Sequence, residues 1–215
     1  MTLSTTQLLV LGYHLLSRLA YVLYVGYALR SQERSGTFTR RWGPEQGFRR
    51  FRRIAAFVMN NDGVSFAILC IVTWDTLSLP VLRSVLIVAG AFFMVLGGVT
   101  KLWAATTLGD RAYYWHNFFT TERAPLNTRG PYRFLKNPMY TVGYLPLYGL
   151  ALFTMSLPGL LAAAFDHAAI LAFYHGVEKP HFHRWAGGAA RTQVGTPSDQ
   201  RSDTTADQVR PPGQY

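Results

Sequence analysis

The chain has 215 residues, 49% of them hydrophobic and 15% charged, with a formal net charge of +10. That total alone would suit nucleic acid, but the cations cluster between nearly charge-free apolar runs, as in a membrane protein that keeps its cations on one side; nucleic acid is not an expected partner. The single cysteine, Cys70, excludes a disulfide framework or a cysteine-built zinc site within one chain.

Residues 7–29 form the first apolar run, close to the ~20 residues that a bilayer crossing requires. With no basic region and cleavage site before a soluble domain, it reads as a retained helix. Arg18 interrupts it, and a mid-span cation must face a partner helix or a polar cavity. Residues 30–53 carry Arg30, Arg34, Arg40, Arg41, Arg49, Arg50, Arg52 and Arg53. They read as a cytoplasmic loop, with a second possible use in holding anionic headgroups. The second run, 54–74, contains Asn60-Asn61-Asp62. Either its helix starts after Gly63, or these polar groups face the bundle interior.

The third run, 81–105, carries Gly90, Gly97 and Gly98, which let a helix backbone or a ligand approach closely. Lys101 near its end is placed to snorkel to the interface. Residues 106–136 form a second basic loop, rich in aromatics, containing Leu108-Gly109-Asp110 and Tyr113-Tyr114-Trp115-His116. Gly130-Pro131 then reverses the chain. Asn137-Pro138 reads as the N-cap and first position of a helix, with Arg133 and Lys136 beside its free N–H groups. Runs 139–156 and 158–176 form a tight helical hairpin broken at Leu157-Pro158-Gly159, with Asp166 and His167 facing inward. The expected fold is all-α, a multi-pass transmembrane bundle of about five spans. With the N-terminus outside, five spans put both basic loops and the C-terminus in the cytoplasm. Residues 1–186 form the membrane domain, and 187–215, too polar to build a core, form a disordered tail.

The hairpin returns Glu178 to the side where Asn137-Pro138 begins. A helix N-terminus favours an anion and a C-terminus a cation, so the pair suits a zwitterion such as the amino-acid end of S-adenosyl-L-methionine. His175, His181 and His183 with Glu178 do not share one helical face, and Pro180 breaks the helix between them, so no metal site is expected.

Asn137-Pro138-Met139-Tyr140, the hairpin, Glu178-Lys179-Pro180 and Leu108-Gly109-Asp110, in this order and spacing, resemble the core of the membrane phospholipid methyltransferases. The likeness covers about residues 81–185 and is greatest to the branch that methylates phosphatidylethanolamine. The wider group includes the isoprenylcysteine carboxyl methyltransferases, which usually carry Arg-His-Pro where this chain has Lys136-Asn137-Pro138. The resemblance implies methyl transfer from S-adenosyl-L-methionine to a membrane lipid amine. It places Val88, Ala89, Gly90, Asn137, Pro138, Tyr140, Gly143, Glu178 and Lys179 around the cofactor. Asp110, Arg133 and Lys136 fall to the lipid substrate, though Arg133 or Lys136 would equally serve the cofactor carboxylate. His116, His175 and Glu178 are candidate bases, and the sequence does not choose among them. In two places the chain departs from the family: Lys179 replaces a second acid, and a terminal helix with spaced tyrosines is missing. Carboxyl methylation of an isoprenylcysteine or another amphipathic molecule, a sterol-type reductase binding a dinucleotide phosphate, and an inactive lipid-binding relative are the alternatives.

Overall fold

The computed structural model describes residues 3–79, 81–120 and 129–184. The expected tail, 187–215, lies outside the described residues. The chain divides into two compact units, Met1–Pro180 and His181–Tyr215; in the second, the described residues 181–184 are helical. Six α-helices form the first: α1 (Thr5–Ser35), α2 (Thr37–Trp42), α3 (Pro44–Val72), α4 (Arg83–Tyr113), α5 (Leu145–Phe153) and α6 (Leu157–Phe173). No strand occurs among the described residues.

Four helices are long and apolar enough to cross a membrane: Thr5–Ser35, Pro44–Val72, Arg83–Phe118 and Leu157–Arg184. A shorter apolar stretch, Val142–Phe153, accompanies them. The bundle is therefore a helical membrane fold with one short arm. Its outer faces carry exposed Leu, Val, Ile and Phe, the surface expected against lipid rather than water.

Several elements differ from their sequence reading. The arginine-rich stretch is helix, not loop. Arginine is a good helix former, and Gly47, Phe48, Phe51 and Ala55 give α3 a buried stripe while the arginines face outward. Asn60-Asn61-Asp62 lies inside α3, with Asp62 buried, so the interior alternative holds. Asn137-Pro138 does not open a long helix. Asn137 Oδ1 accepts the Tyr140 N–H at 3.3 Å, as an N-cap does, but Thr141 (φ −106°, ψ −97°) breaks the turn. A 3-10 turn, Val142–Tyr144, intervenes before α5 begins at Leu145. The hairpin turn sits before Leu157, where Met155 takes a positive φ of 50°. Ser156 Oγ accepts the Gly159 N–H at 2.8 Å, so Leu157-Pro158-Gly159 starts α6, with proline in its first turn.

Glycines set how closely α4 and α5 pack. A Cβ on Gly90 would come within 2.6 Å of the Gly149 carbonyl oxygen, and a Cβ on Gly149 would meet the Gly90 oxygen at the same distance. Gly97 lies against Pro146 and the Val142 carbonyl, whereas Gly98 faces open space.

The interior is pinned by charge. Arg18 of α1 places one guanidinium nitrogen 2.7 Å from Asp62 of α3 and 2.8 Å from Asp166 of α6. Its other terminal nitrogen donates to the Tyr144 hydroxyl at 3.1 Å. His14 Nε2 is 3.3 Å from Asp166, and its Nδ1 is 2.9 Å from Ser65 Oγ. Asp166 and His14 are fully buried. His14, Asp62 and Asp166 converge closely enough to hold a metal ion, but the guanidinium already supplies a cation to both carboxylates.

Two outcomes follow. Arg18→Ala, which strands two buried carboxylates, will cost about 3–5 kcal/mol of unfolding free energy in detergent, and adding Asp62→Leu and Asp166→Leu will recover most of it. Gly90→Ala or Gly149→Ala will lower the melting temperature by forcing α4 and α5 apart, while Gly98→Ala will leave it unchanged or raise it slightly.

Candidate functional site

The site is assembled where three chain segments meet at the arginine-rich end of the bundle. The first is the end of α4. At Leu108-Gly109-Asp110 the helix kinks, because Gly109 adopts φ 76° and ψ 159°, a conformation that a side chain would strain. The kink directs Asp110 to Arg52 of α3, 2.8 Å away. Beyond Tyr113 the chain turns through Trp115, whose φ of 57° ends the helix and sends the indole into the core. There Trp115 meets Phe51 and Phe173 edge to face.

The second segment is the loop 129–144. Gly130, at φ 57°, has Thr107 and the Trp103 indole so close that a Cβ would collide with Thr107 Oγ1. Pro138 is fully buried, and its carbonyl accepts the Gly143 N–H at 2.8 Å. Gly143 is packed against that carbonyl and the Lys101 stem. Lys101 carries its ammonium 5.8 Å above the Tyr144 ring, so its tip turns to an aromatic face. Arg133 and Lys136 are exposed and flank Phe134, also strongly exposed.

The third segment is the end of α6. The helix widens into a π turn at Tyr174–Glu178, a feature frequent at functional sites. The wider turn lets consecutive residues Val177 and Glu178 both point inward, while His175, Gly176 and Lys179 point outward.

These segments meet on one atom. Glu178 Oε1 accepts the Trp115 indole N–H and the Tyr140 hydroxyl, the latter at 2.6 Å. No donor among the described residues reaches Oε2. The Tyr140 phenol is pushed well above the ordinary tyrosine range, first by burial and then by the Glu178 charge. Tyr132 is raised by the same two causes. Both stay protonated at neutral pH, and the stability this contributes is lost only as pH rises past the ordinary tyrosine range.

Tyr140 is held in turn by His167 of α6. His167 Nε2 donates to the Tyr140 carbonyl at 2.8 Å, since a carbonyl can only accept. The other ring nitrogen then accepts the Tyr148 hydroxyl at 3.2 Å, and the ring stacks on Tyr144, centroids 4.9 Å apart. Tyr144 is the residue that Arg18 grips, so the site and the charged interior share a wall.

The structure thus brings Tyr140 and Glu178 into contact and puts Asn137, Pro138 and Gly143 in the same folded loop. It does not bring the other expected residues to that point. Val88 faces outward and Gly90 is filled by Gly149, about 28 Å along α4 from the Gly109 kink at ~1.5 Å per residue. Asp110 is engaged by Arg52. His116 stands edge-on to Phe48 with Arg111 3.4 Å from its Nε2. His175 binds back to the Leu171 carbonyl at 2.8 Å. Lys179 is exposed, on the opposite side of the chain from its neighbour Glu178. Sequence reasoning missed Trp115 and Tyr132 as partners of Glu178, and His167 as the prop of Tyr140. The one available signal was a tryptophan and a histidine among residues otherwise read as packing.

Fold and site together define a multi-pass helical membrane protein with a carboxylate held by aromatic donors at one end of the bundle. Residues 85–185 match the phospholipid methyltransferase family, and this region contains the whole of the site apart from its arginine-rich border. Similar proteins include the phosphatidylethanolamine N-methyltransferases of Clavispora lusitaniae (31% identical, covering 64% of this chain and 17% of the relative) and Saccharomyces cerevisiae (30%, 74% and 18%). That of Coccidioides posadasii is 28% identical over 83% of this chain and 19% of its own length. The chain spans less than a fifth of the length of these curated relatives. No solved structure matches it.

Trp115→Phe and Tyr140→Phe will each lower stability by about 1.5–3 kcal/mol, since each removes a hydrogen bond to a buried carboxylate; chemical unfolding in detergent measures the loss.

Proposed function

We propose that this chain is a membrane N-methyltransferase that moves the methyl group of S-adenosyl-L-methionine to the amine of phosphatidylethanolamine or its methylated derivatives. The family match over residues 85–185, which contains Trp115, Tyr140 and Glu178, is the observation that carries the reading.

The residues present fit the amino-acid end of this cofactor. Glu178 Oε1 is saturated by two donors, which fixes the carboxylate and leaves Oε2 as the acceptor for an ammonium group. Arg133 and Lys136, in the loop that also carries Asn137 and Tyr140, are exposed cations available to a carboxylate or a lipid phosphate. The Tyr140 ring lies beside the acid and is rigidly oriented by His167. When bound, S-adenosyl-L-methionine supplies an electrophilic methyl group on a sulfonium. The protein's tasks are alignment and exclusion of water, which together are worth ~7–11 kcal/mol of barrier. The lipid amine must lose its proton before it attacks. His116 and His175 stand at the borders of the site, and either ring would be the place where that proton is held.

The topology we propose has the N-terminus outside and the site at the cytoplasmic face. Two observations support it. The α3–α4 and α5–α6 turns are joined at one end of the bundle, Asp75 N–H to the Thr154 carbonyl at 3.0 Å and Leu77 N–H to the Met155 carbonyl at 2.7 Å. Apart from Arg83, paired with Asp75 at that turn, and the buried Arg18, the described arginines of residues 30–133 gather at the other, the side that faces the cytoplasm.

Purified protein in detergent will bind radiolabelled S-adenosyl-L-methionine, and Glu178→Ala will weaken binding at least tenfold while the protein still elutes as a folded species. Binding of NADPH in its place would sink the reading. Lipid extracts of expressing cells will contain methylated ethanolamine headgroups.

A further inference from the structure

The arginines of α3 divide into two groups. Arg52 is 2.8 Å from Asp110, and the neighbouring Arg111 reaches Glu45 at 3.1 Å, so these close the packing of α3 on α4. Arg49, Arg50 and Arg53, with Gln46, line a concave surface on the adjoining, outward side of α3. Their spacing is helical: positions 46, 49, 50 and 53 share one side. Arg49 has only the Glu45 carboxylate at 3.7 Å, and Arg50 and Arg53 have no carboxylate partner among the described residues. Arg50 is instead laid on the Trp42 ring, 4.9 Å from its centroid, with Arg41 at the same distance. The indole holds a cation in place without neutralising it.

A group of three cations with one distant counter-charge is incomplete without an anion. What continues the same face identifies the anion's source. One turn beyond Arg53 stands Phe57, 71% exposed, with Ile54 beside it, and then Val64, Ile68 and Ile71, all exposed. The arginines therefore sit at the head of an apolar stripe on a helix of membrane-spanning length, where a bilayer presents its phosphates. We propose that Gln46, Arg49, Arg50 and Arg53 form a binding site for the phosphate of an anionic phospholipid, whose acyl chain lies along Ile54 and Phe57. The site is separate from the Trp115, Tyr140 and Glu178 cluster and does not depend on the catalytic reading.

The test is native mass spectrometry of the full chain, without cofactor, in micelles containing phosphatidylglycerol or phosphatidylcholine. The wild-type protein will retain phosphatidylglycerol in preference. Arg49→Gln/Arg50→Gln/Arg53→Gln will lose that preference by about fivefold per arginine, and the corresponding triple lysine variant will keep most of it. Millimolar inorganic phosphate will not displace the lipid. Equal retention of the two lipids by the wild type overturns the proposal. So does an undiminished preference in the folded triple glutamine variant, or displacement by phosphate, which would make this a site for a free anion. Should the triple variant not fold, the single Arg53→Gln, at an exposed side chain, will show about a fivefold loss, and no loss there overturns the proposal equally.

Discussion

The fold depends on one buried cation. Arg18 stands within an apolar span, and a charge in hydrocarbon is tolerated only where partners replace its water. Asp62 and Asp166 do so from two other helices, and Tyr144 adds a neutral acceptor from the loop before α5. Helices in a membrane have little hydrophobic drive toward one another, because lipid tails are as apolar as leucine. A polar knot that joins α1, α3 and α6 therefore specifies their relative rotation more than their greasy faces do. His14 extends the knot to Ser65 of α3, and Asn61 donates to Ser17 at 2.7 Å beside it.

The site is built on the outskirts of this knot. His167 follows Asp166 directly in α6, so fixing the aspartate also fixes the histidine. The histidine holds the Tyr140 carbonyl and stacks on Tyr144. Tyr140 then reaches Glu178, and Trp115 completes the carboxylate from the turn after α4. Rigidity around Glu178 is thus inherited from ion pairing deeper in the bundle. The close α4–α5 contact at Gly90 and Gly149 serves the same end, because it anchors the short α5 that follows the Asn137–Tyr144 loop.

Much of this was legible in the sequence, though in fragments. Arg18, Asp62 and Asp166 each violate an apolar run, and inward orientation follows from cost alone. Their mutual pairing does not, since hydrophobic periodicity carries no information about partners 148 residues apart. Asn137-Pro138 was misleading for a physical reason: an N-cap signal is identical for a full helix and for one isolated turn, and only Thr141's backbone tells them apart. The arginine-rich segment looked like a loop because charge masked the buried stripe of Phe48, Phe51 and Ala55. The inward direction of Glu178 rests on a π turn, which no spacing rule at 3.6 residues anticipates. Val88-Ala89-Gly90 was placed by resemblance, whereas the structure uses Gly90 for backbone packing.

The Arg18 knot also has a history in time. Ribosomes deliver α1 first, and its arginine leaves the exit channel long before Asp166, 148 residues later, has been made. During that interval Asp62 of α3 is the acid on hand, and a one-to-one pair is electrically neutral. The arrival of α6 adds a second carboxylate to the same guanidinium nitrogen, 2.8 Å away, with His14 3.3 Å from that carboxylate. The last long helix to be made is therefore the one whose buried aspartate meets its cation already carried in α1, so that its partner is present before it is.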